Sequence, residues 1–315
     1  MTLQSGIARL PGVPALRRAL TLEPPRRPEP DDYHKPVLGL AEGGELIHAL
    51  LCAERPALVA RLAGNELLCL MHYLRHRRRP WRRPYPEAVR HRMVNNTGFF
   101  PASDDALDAF AREYLAAITQ VDAMGVWFYI GEDRVAREYS PDAQLIPPRS
   151  IEPYYDVDPW SRGLRGRKVL VVHPFAESIR EQYENNRESL FDDPEVLPPF
   201  DLRLVKAVQS SAGGATSFDT WFNALDSMKA AMDATTYDVC LVGAGAYGLP
   251  LAAHAKRSGK SAVQMGGATQ ILFGIKGRRW DDHEIISKLY RESWVRPKTC
   301  EVPRNAMAVE DGCYW

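Results

Sequence analysis

The sequence has 315 residues, 45% of them hydrophobic, so the chain can bury the core of one large or two small α/β domains. Lysine and arginine together number 40, as do aspartate and glutamate, and this balance excludes a global positive field that would attract nucleic acid. Five scattered cysteines without Cys-x-x-Cys spacing, no recognisable signal peptide and no apolar run long enough to span a bilayer predict a cytoplasmic protein without a metal–thiolate site.

The first part of the chain predicts an arm followed by half of an α/β domain. Residues 1–36 are rich in proline and arginine and lack apolar periodicity, which is typical of an extended or disordered arm. We expect a single domain over residues 37–315, with a first half at 37–160, a nucleotide-binding half at 165–280 and a tail at 281–315. The elements predicted in the first half are helices at residues 43–54, 67–74 and 103–121, and strands at 57–62 and 124–130.

The first predicted strand ends in Arg61-Leu-Ala-Gly64-Asn65-Glu66, which puts a carboxylate in the first turn of the next helix. A carboxylate at the exit of a strand is well placed for chemistry at the edge of a sheet. The same position also suits a structural acid, because the positive end of the helix dipole stabilises a negative charge. From this feature alone, the structural interpretation of Glu66 is the stronger of the two.

Residues 72–92 form a strongly basic segment with eight arginines, three histidines and a single acid. Aromatic residues are interleaved with these charges, and three prolines exclude one long helix. Such a segment suits the phosphates of a lipid-linked acceptor or the anionic inner face of a membrane, and equally a solvated loop that pairs with acids elsewhere. Because the whole chain is neutral, sequence-specific DNA binding is not expected.

The second half of the chain alternates strands and helices. Its pattern predicts strands at residues 168–172, 202–208, 238–242 and 261–265, separated by helices at 177–190, 217–233 and 249–258. Right-handed crossovers then make a Rossmann-like, doubly wound, mostly parallel sheet flanked by helices. The strand ends, at His173, Gln209, Gly243 and Gln264, are expected to converge at one edge, where open α/β sheets bind ligands. There His173 is either a general base or a hydrogen-bonded structural residue.

A glycine turn, Gly243-Ala-Gly245-Ala-Tyr247-Gly248, joins the third of these strands to an alanine-rich helix. Such a turn lets the backbone approach a ligand closely and directs free N–H groups and the positive helix end towards an anion. A dinucleotide site is rejected, because the next strand ends in Gln264-Met-Gly266-Gly267 and not in the acid that binds ribose hydroxyls. A phosphate or sugar-nucleotide site fits better, and glycines needed only for tight packing are the alternative.

Several stretches carry a family resemblance. They are KVLVVHPFAESI, VLPPFDLRLVKAVQS, the segment Gly243–Trp280, the tail elements WVRP and VEDGCYW and, in the first half, Arg61–Glu66, NNTGFFP and Asp122–Phe128. With these stretches the chain resembles, over roughly residues 40–315, a mostly uncharacterised bacterial family related to GT-D-type glycosyltransferases. The resemblance is most specific between Gly243 and Trp280. It implies a single Rossmann-like domain that transfers a sugar from a nucleotide donor, typically with a divalent metal.

The resemblance also implies a metal site that this chain matches only in part. GT-D enzymes resemble one another in an Asp-x-Glu motif after the first strand, whose carboxylates hold the metal at the donor diphosphate. Here the position reads Gly64-Asn65-Glu66, so the aspartate is missing. A single carboxylate holds Mg²⁺ or Mn²⁺ weakly unless the diphosphate supplies other ligands. We therefore expect either reduced metal use at Glu66, with Arg61 or Lys276 supplying positive charge, or a loss of catalysis.

These interpretations combine into one predicted function. We expect a glycosyltransferase that transfers a sugar from a nucleotide-sugar donor to a cell-surface polysaccharide or lipid-linked acceptor. The alternative is a non-catalytic sugar-nucleotide-binding or phosphate-binding protein of the same fold. Glu66 is the predicted metal ligand or base, and His173 is the alternative base. The residues expected to bind the donor or neutralise its phosphates are Arg61, Asn65, Gln209, Gly243, Gly245, Tyr247, Gly248, Gln264, Gly266, Gly267, Lys276, Arg278 and Arg279.

The tail is unusually aromatic for a chain terminus. It contains Trp294-Val-Arg296-Pro and ends in Gly312-Cys-Tyr-Trp315. Free tails are usually polar, so this one is expected to pack on its own domain or on the second subunit of a homodimer.

Overall fold

The computed structural model describes residues 32–77, 83–214 and 216–315, which contain one sheet of seven strands. The strands are β1 (Leu58–Arg61), β2 (Ala123–Gly125), β3 (Gln144–Ile146), β4 (Lys168–His173), β5 (Asp201–Lys206), β6 (Val239–Val242) and β7 (Ser261–Gln264). Their order is β3-β2-β1-β7-β6-β4-β5, and every neighbouring pair is parallel. The predicted Rossmann-like parallel sheet is therefore confirmed.

Helices cover both faces of this sheet, and short 3₁₀ turns connect many of them. The α-helices in the described residues are α1 (Leu40–Cys52), α2 (Gly64–His76), α3 (Glu87–Asn95), α4 (Asp104–Ile118), α5 (Glu132–Tyr139), α6 (Ala176–Asn186), α7 (Trp221–Asp233), α8 (Gly248–Arg257), α9 (Ala268–Leu272) and α10 (Ile286–Leu289).

Strand β4 shows how the sheet joins two apolar cores. Successive side chains of a strand point to opposite faces. Leu170 and Val172 belong to a buried cluster that includes residues of α4, α7 and α8, whereas Val169 and Val171 belong to a cluster that includes residues of α1 and α6. Because both faces are covered, the strand is apolar at every one of these positions.

The strand predicted at residues 124–130 is wrong beyond Gly125, where β2 ends. Phe128 has a left-handed φ of 61°, which no strand residue adopts. The backbone N–H groups of Trp127 and Tyr129 donate to the carboxylate of Glu132, at 2.9 and 3.2 Å, and not to a neighbouring strand. β3 (Gln144–Ile146) was not predicted, because three residues are too few to show a periodicity.

Other boundaries also differ from the predictions. The helix predicted at residues 217–233 begins at Trp221, because the Thr220 hydroxyl caps it by accepting the N–H of Asn223 at 3.1 Å. The helix predicted at 177–190 ends at Asn186, and the strand predicted at 202–208 ends at Lys206. α3 and α5 are further elements that the apolar pattern does not predict.

Most of the predicted arm, residues 1–31, and residues 78–82 of the basic segment lie outside the described residues. The end of the arm folds against α5. The hydroxyl of Tyr33 donates to Glu132 Oε2 at 2.6 Å, and the ring of His34 lies 2.7 Å from Asp133 Oδ1. Within the described ranges, no helix is both long enough and apolar enough to cross a bilayer.

Candidate functional site

Four adjacent central strands bring their carboxyl ends to one edge of the sheet. β1, β7, β6 and β4 lie side by side, with Val242 paired to Gln264 and Val172 paired to Val242. The turns that leave this edge are those after Arg61, Gln264, Val242 and His173. Gln209 follows β5 at the border of the sheet and is half-buried. The strand ends that the sequence predicted to converge therefore do lie at one edge.

Two glycines of the glycine turn lie close to neighbouring side chains. A Cβ on Gly243 would lie 2.5 Å from Thr269 Oγ1 and 2.6 Å from His173 Cδ2, which no side chain tolerates. A Cβ on Gly248 would lie 3.2 Å from the side chain of Gln264. The packing interpretation therefore explains Gly243 without a ligand, whereas a side chain at Gly248 would need only a small shift of Gln264.

Gly245 is different, because it is exposed and faces open space. The nearest atom to a Cβ there would be the carbonyl oxygen of Thr97, at 3.7 Å. Its φ of 53° is left-handed, so the backbone conformation and not crowding favours glycine. The residues Gly245–Tyr247 form one 3₁₀ turn that leads directly into α8. Gly245 is the residue of this turn that a ligand can reach, because Ala246 and Tyr247 are buried.

Arg61 lines the same edge from the neighbouring strand. Its backbone N–H donates to Gln264 Oε1 at 2.9 Å, and its guanidinium Nη2 donates to the carbonyl oxygen of Met265 at 2.7 Å. The guanidinium also lies 5.3 Å from the ring centre of Trp127. A Cβ on Gly266 would approach Nη2 to 2.8 Å, which explains the glycine there. Gln264 thus links β7 to β1, and the side chain of Arg61 is held against the loop that follows β7.

Glu66 is buried in the first turn of α2, with only 4% of its surface exposed. Burial raises its pKa to about 7, the positive charge of Arg61 opposes this rise, and the negative charge of Glu310 adds to it. Within the described residues, Oε2 of Glu66 has no hydrogen-bond partner. An unpaired buried carboxyl oxygen is costly, and such perturbed groups concentrate at functional sites. A pKa near 7 also suits a general base, because both protonation states are populated at neutral pH.

His173 sits at the end of β4, almost fully buried. Its Nδ1 accepts the backbone N–H of Phe175 at 3.0 Å, and burial lowers its pKa to about 3. The ring is therefore neutral at physiological pH and carries its proton on Nε2. In this state Nδ1 is occupied and Nε2 is already protonated, so Glu66 suits the role of base better than His173 does.

Two other predicted binding residues are engaged with the protein. Asn65 Oδ1 accepts from Arg92 Nη1 at 3.3 Å, which links α2 to the buried end of α3. Tyr247 is buried, stacks on Trp221 with 4.9 Å between ring centres, and places its hydroxyl 3.1 Å from Ser210 Oγ. Both residues support the walls of the site from inside.

The C-terminal tail crosses the same edge of the sheet. Glu310 pairs with Arg279 and accepts from Asn96 Nδ2 at 3.4 Å, and Arg278 Nη1 donates to the carbonyl oxygen of Asp311 at 3.2 Å. The ring of Tyr314 lies 4.8 Å from the guanidinium of Arg279. The tail therefore joins the loop after α3 to the 3₁₀ turn at residues 278–280.

The cations predicted to neutralise phosphate charge are held by this C-terminal region. Lys276 lies with its Nζ 5.2 Å from the ring centre of Tyr290, and its backbone N–H donates to Val295. Arg278 and Arg279 contact the tail as described above. The sequence analysis did not predict Glu310 or Asn96 as residues of this edge. The only sequence signal for them is that they lie in VEDGCYW and NNTGFFP, two segments that carry the family resemblance.

The described residues around Glu66 offer few ligands for the metal that the family resemblance implies. Within residues 32–77, 83–214 and 216–315, no group of three or more His, Cys, Asp or Glu side chains could hold a metal ion. Glu66 supplies one free carboxyl oxygen, and its pKa near 7 leaves it partly protonated at neutral pH. This donor set does not fit a metal held by the protein alone.

Comparisons with known proteins add little. No protein-family model matches the chain, and no curated protein is significantly similar to it. A solved structure described as the selenomethionine-substituted domain of unknown function 1792 (DUF1792) aligns with 74% of this chain and 78% of its own. The two are 13% identical, with a TM-score of 0.42. A TM-score below 0.5 does not establish a common fold, so this similarity carries no argument about function.

Proposed function

We propose that this protein is a glycosyltransferase that binds a nucleotide sugar at the carboxyl edge of its sheet. The observation that carries the proposal is Glu66, a buried carboxyl group with a pKa of about 7 and an oxygen unpaired within the described residues. It lies in the first turn of α2, which follows β1, two strands from the glycine turn after β6. A base and an anion-binding turn are the two parts that such a transfer requires.

The donor diphosphate would bind at Gly245–Tyr247. The positive end of the α8 dipole favours an anion beside Gly245, whereas the N–H groups of Tyr247 and Gly248 already donate to the carbonyl oxygens of Ala244 and Gly245. Gly266 and Gly267 follow β7 and lie against Arg61 and Tyr314, so the sugar and nucleoside would bind next to these two side chains. The positive charge of Arg61 would stabilise the negative charge that develops on the leaving diphosphate.

In the proposed reaction, ionised Glu66 takes the proton of an acceptor hydroxyl. The acceptor oxygen forms a bond to the anomeric carbon of the donor sugar, and the bond from that carbon to the diphosphate oxygen breaks. The nucleoside diphosphate leaves with the bonding electron pair. Because Glu66 must be ionised, activity should rise with pH around its pKa of about 7.

The alternative is a sugar-nucleotide-binding protein without catalysis. One observation favours it, namely that Gly64 stands where the resembling enzymes have an aspartate, which leaves the site with few metal ligands. In both cases the ligand would occupy the same turn.

A panel of UDP-, GDP-, CMP- and dTDP-sugars separates the two functions. Binding is measured by thermal shift, and slow donor hydrolysis is measured with Mg²⁺, with Mn²⁺ and with a chelator. The transferase predicts hydrolysis of at least one donor that also binds. A donor that binds but is not hydrolysed under any of these conditions supports the alternative, and no binding at all contradicts both.

A further inference from the structure

A cavity that is open to solvent lies away from the edge of the sheet, between α2, α4 and α5. Its volume is about 210 Å³, and its lining residues are Tyr73, Arg77, Arg112, Leu115, Ala116, Thr119 and Tyr139. Glu66 and Arg77 lie near opposite ends of α2, which at 1.5 Å per residue places them about 16 Å apart along the helix. The cavity is therefore separate from the candidate donor site.

Two exposed arginines, Arg77 and Arg112, line this cavity. Within the described residues, neither Arg77 nor Arg112 forms an ion pair, although Arg77 lies 6.0 Å from the ring centre of Tyr73. Two acids of the surrounding helices are engaged with other partners. Glu113 accepts from Lys229 at 3.3 Å, and Glu138 pairs with Arg134 at 2.8 Å.

A structural explanation covers only one of the two arginines. Arg77 follows the last residue of α2, where a cation compensates the negative end of the helix dipole. Arg112 lies in the interior of α4, more than one turn from its end, where the dipole has little effect. An anion bound in the cavity would be attracted by both positive charges.

The chemistry of the lining suits a phosphate group. Arginine presents planar pairs of N–H donors that match phosphate oxygens, and Tyr73 and Tyr139 each carry a hydroxyl group that can donate, whereas the hydroxyl of Thr119 already donates to the carbonyl oxygen of Ala116 at 2.8 Å. The volume is below the roughly 300–1,000 Å³ of sites for drug-sized ligands, so it suits a phosphate or diphosphate group and not a whole nucleotide sugar. Leu115 adds an apolar surface for the group that carries the phosphate.

We propose that this cavity is a phosphate-binding site, separate from the donor site and independent of the proposed function. Its ligand is a phosphate or diphosphate group, carried either by a small soluble molecule or by a lipid head group. Arg77 and Arg112 hold the phosphate oxygens from two neighbouring helices.

The test uses pyrophosphate as the probe and calorimetric titration of the full chain. The double variant Arg77→Gln/Arg112→Gln should weaken binding at one site by about tenfold or more, since charge-assisted hydrogen bonds to phosphate are lost. Arg257→Gln is the matched control, because Arg257 is also exposed, unpaired within the described residues, and lies at the end of a helix. Both variants change exposed side chains, so folding should be retained.

Stoichiometry separates this site from the glycine turn. Pyrophosphate bound at the glycine turn would persist in the double variant, whereas the site between α2, α4 and α5 would disappear. Flotation with vesicles of phosphatidylcholine, with and without phosphatidic acid, identifies the source of the phosphate. Binding of pyrophosphate alone indicates a soluble ligand, and arginine-dependent flotation only with phosphatidic acid indicates a lipid head group. If the double variant matches the wild type in both assays, the proposal is wrong.

Discussion

Glu66 can act in two ways, and a single amide substitution separates them. Glu66→Gln keeps the shape of the side chain and removes its charge. If Glu66 is the base, donor turnover should fall by about 10²–10⁴-fold. If it only interacts with the dipole of α2, the change should affect stability by about 0.3–1 kcal/mol and leave turnover unchanged. Initial rates and a melting curve of the same preparation measure both effects.

Glu132→Gln is the matched control for this substitution. Glu132 is also buried, also has a carboxyl oxygen without a partner in the described residues, and also has a pKa raised to about 7 by burial. Its Oε2, however, holds Tyr33 and the backbone after β2. Glu132→Gln should therefore lower stability more than turnover. Equal turnover losses in the two variants would show that Glu66 acts through packing, and the search for the base would return to His173.

The pKa of Glu66 also predicts how stability depends on pH. Its pKa rises from 4.5 to about 7 on folding, so between these values the folded state retains a proton that the unfolded state releases. The contribution of Glu66 to the free energy of unfolding is therefore fully present below about pH 4.5, and it is lost as the pH rises through about 7. Glu66→Gln should therefore match the wild type in melting temperature near pH 4.5 and exceed it near pH 8.5. A constant difference across this range would contradict the raised pKa.

At the scale of the element, the glycine turn after β6 offers its own matched pair. Gly245 and Gly259 flank α8, both have left-handed φ angles (53° and 79°), and neither has close neighbours that a Cβ would strike. Valine at either position should strain the backbone by a similar amount, about 1–2 kcal/mol. Only Gly245→Val should abolish binding of the nucleotide sugar, because only that Cβ enters the proposed phosphate site. Thermal shift with the donor measures this, and equal binding by both variants would remove the phosphate role of the turn.

The same elements show what sequence patterns can and cannot predict. β4 and β6 were predictable because both faces of each strand are buried, so each is a continuous apolar run bounded by polar residues or glycine. β2 was predicted too long, because the apolar run continues past the point where Glu132 binds the backbone. That interaction links a loop to the helix that follows it, and the spacing of apolar residues in the sequence does not reveal it.

At the scale of the whole molecule, the candidate site was predictable only in part. The carboxyl ends of parallel strands lie at one edge of a sheet. The fold class alone therefore predicted that Glu66 and the glycine turn lie at the same edge. The position of the tail did not, because it depends on contacts such as that between Glu310 and Asn96, 214 residues apart in sequence. Such contacts are properties of the folded chain and leave no local signal.

The C-terminal tail packs on its own domain through several aromatic contacts. Cys313 is buried, Tyr314 lies against Gly267 and Arg279, and Trp315 lies with 6.4 Å between its ring centre and that of Phe175. Deleting residues 311–315 removes these contacts and also exposes the edge of the sheet. Since truncating a fully buried Trp or Phe costs about 3–5 kcal/mol, a loss of a few kcal/mol is expected for these partly buried rings.

The measurement is a melting curve of the truncated chain, combined with size-exclusion chromatography. Val157→Ala is the control for removing apolar surface, because Val157 is 97% exposed and should leave the melting temperature unchanged. A lower melting temperature without a change in apparent size means that the tail stabilises its own domain, as the contacts with Arg278 and Arg279 indicate. A truncated chain that melts like the wild type would show that these contacts contribute nothing, and that the edge of the sheet is stable without its cover.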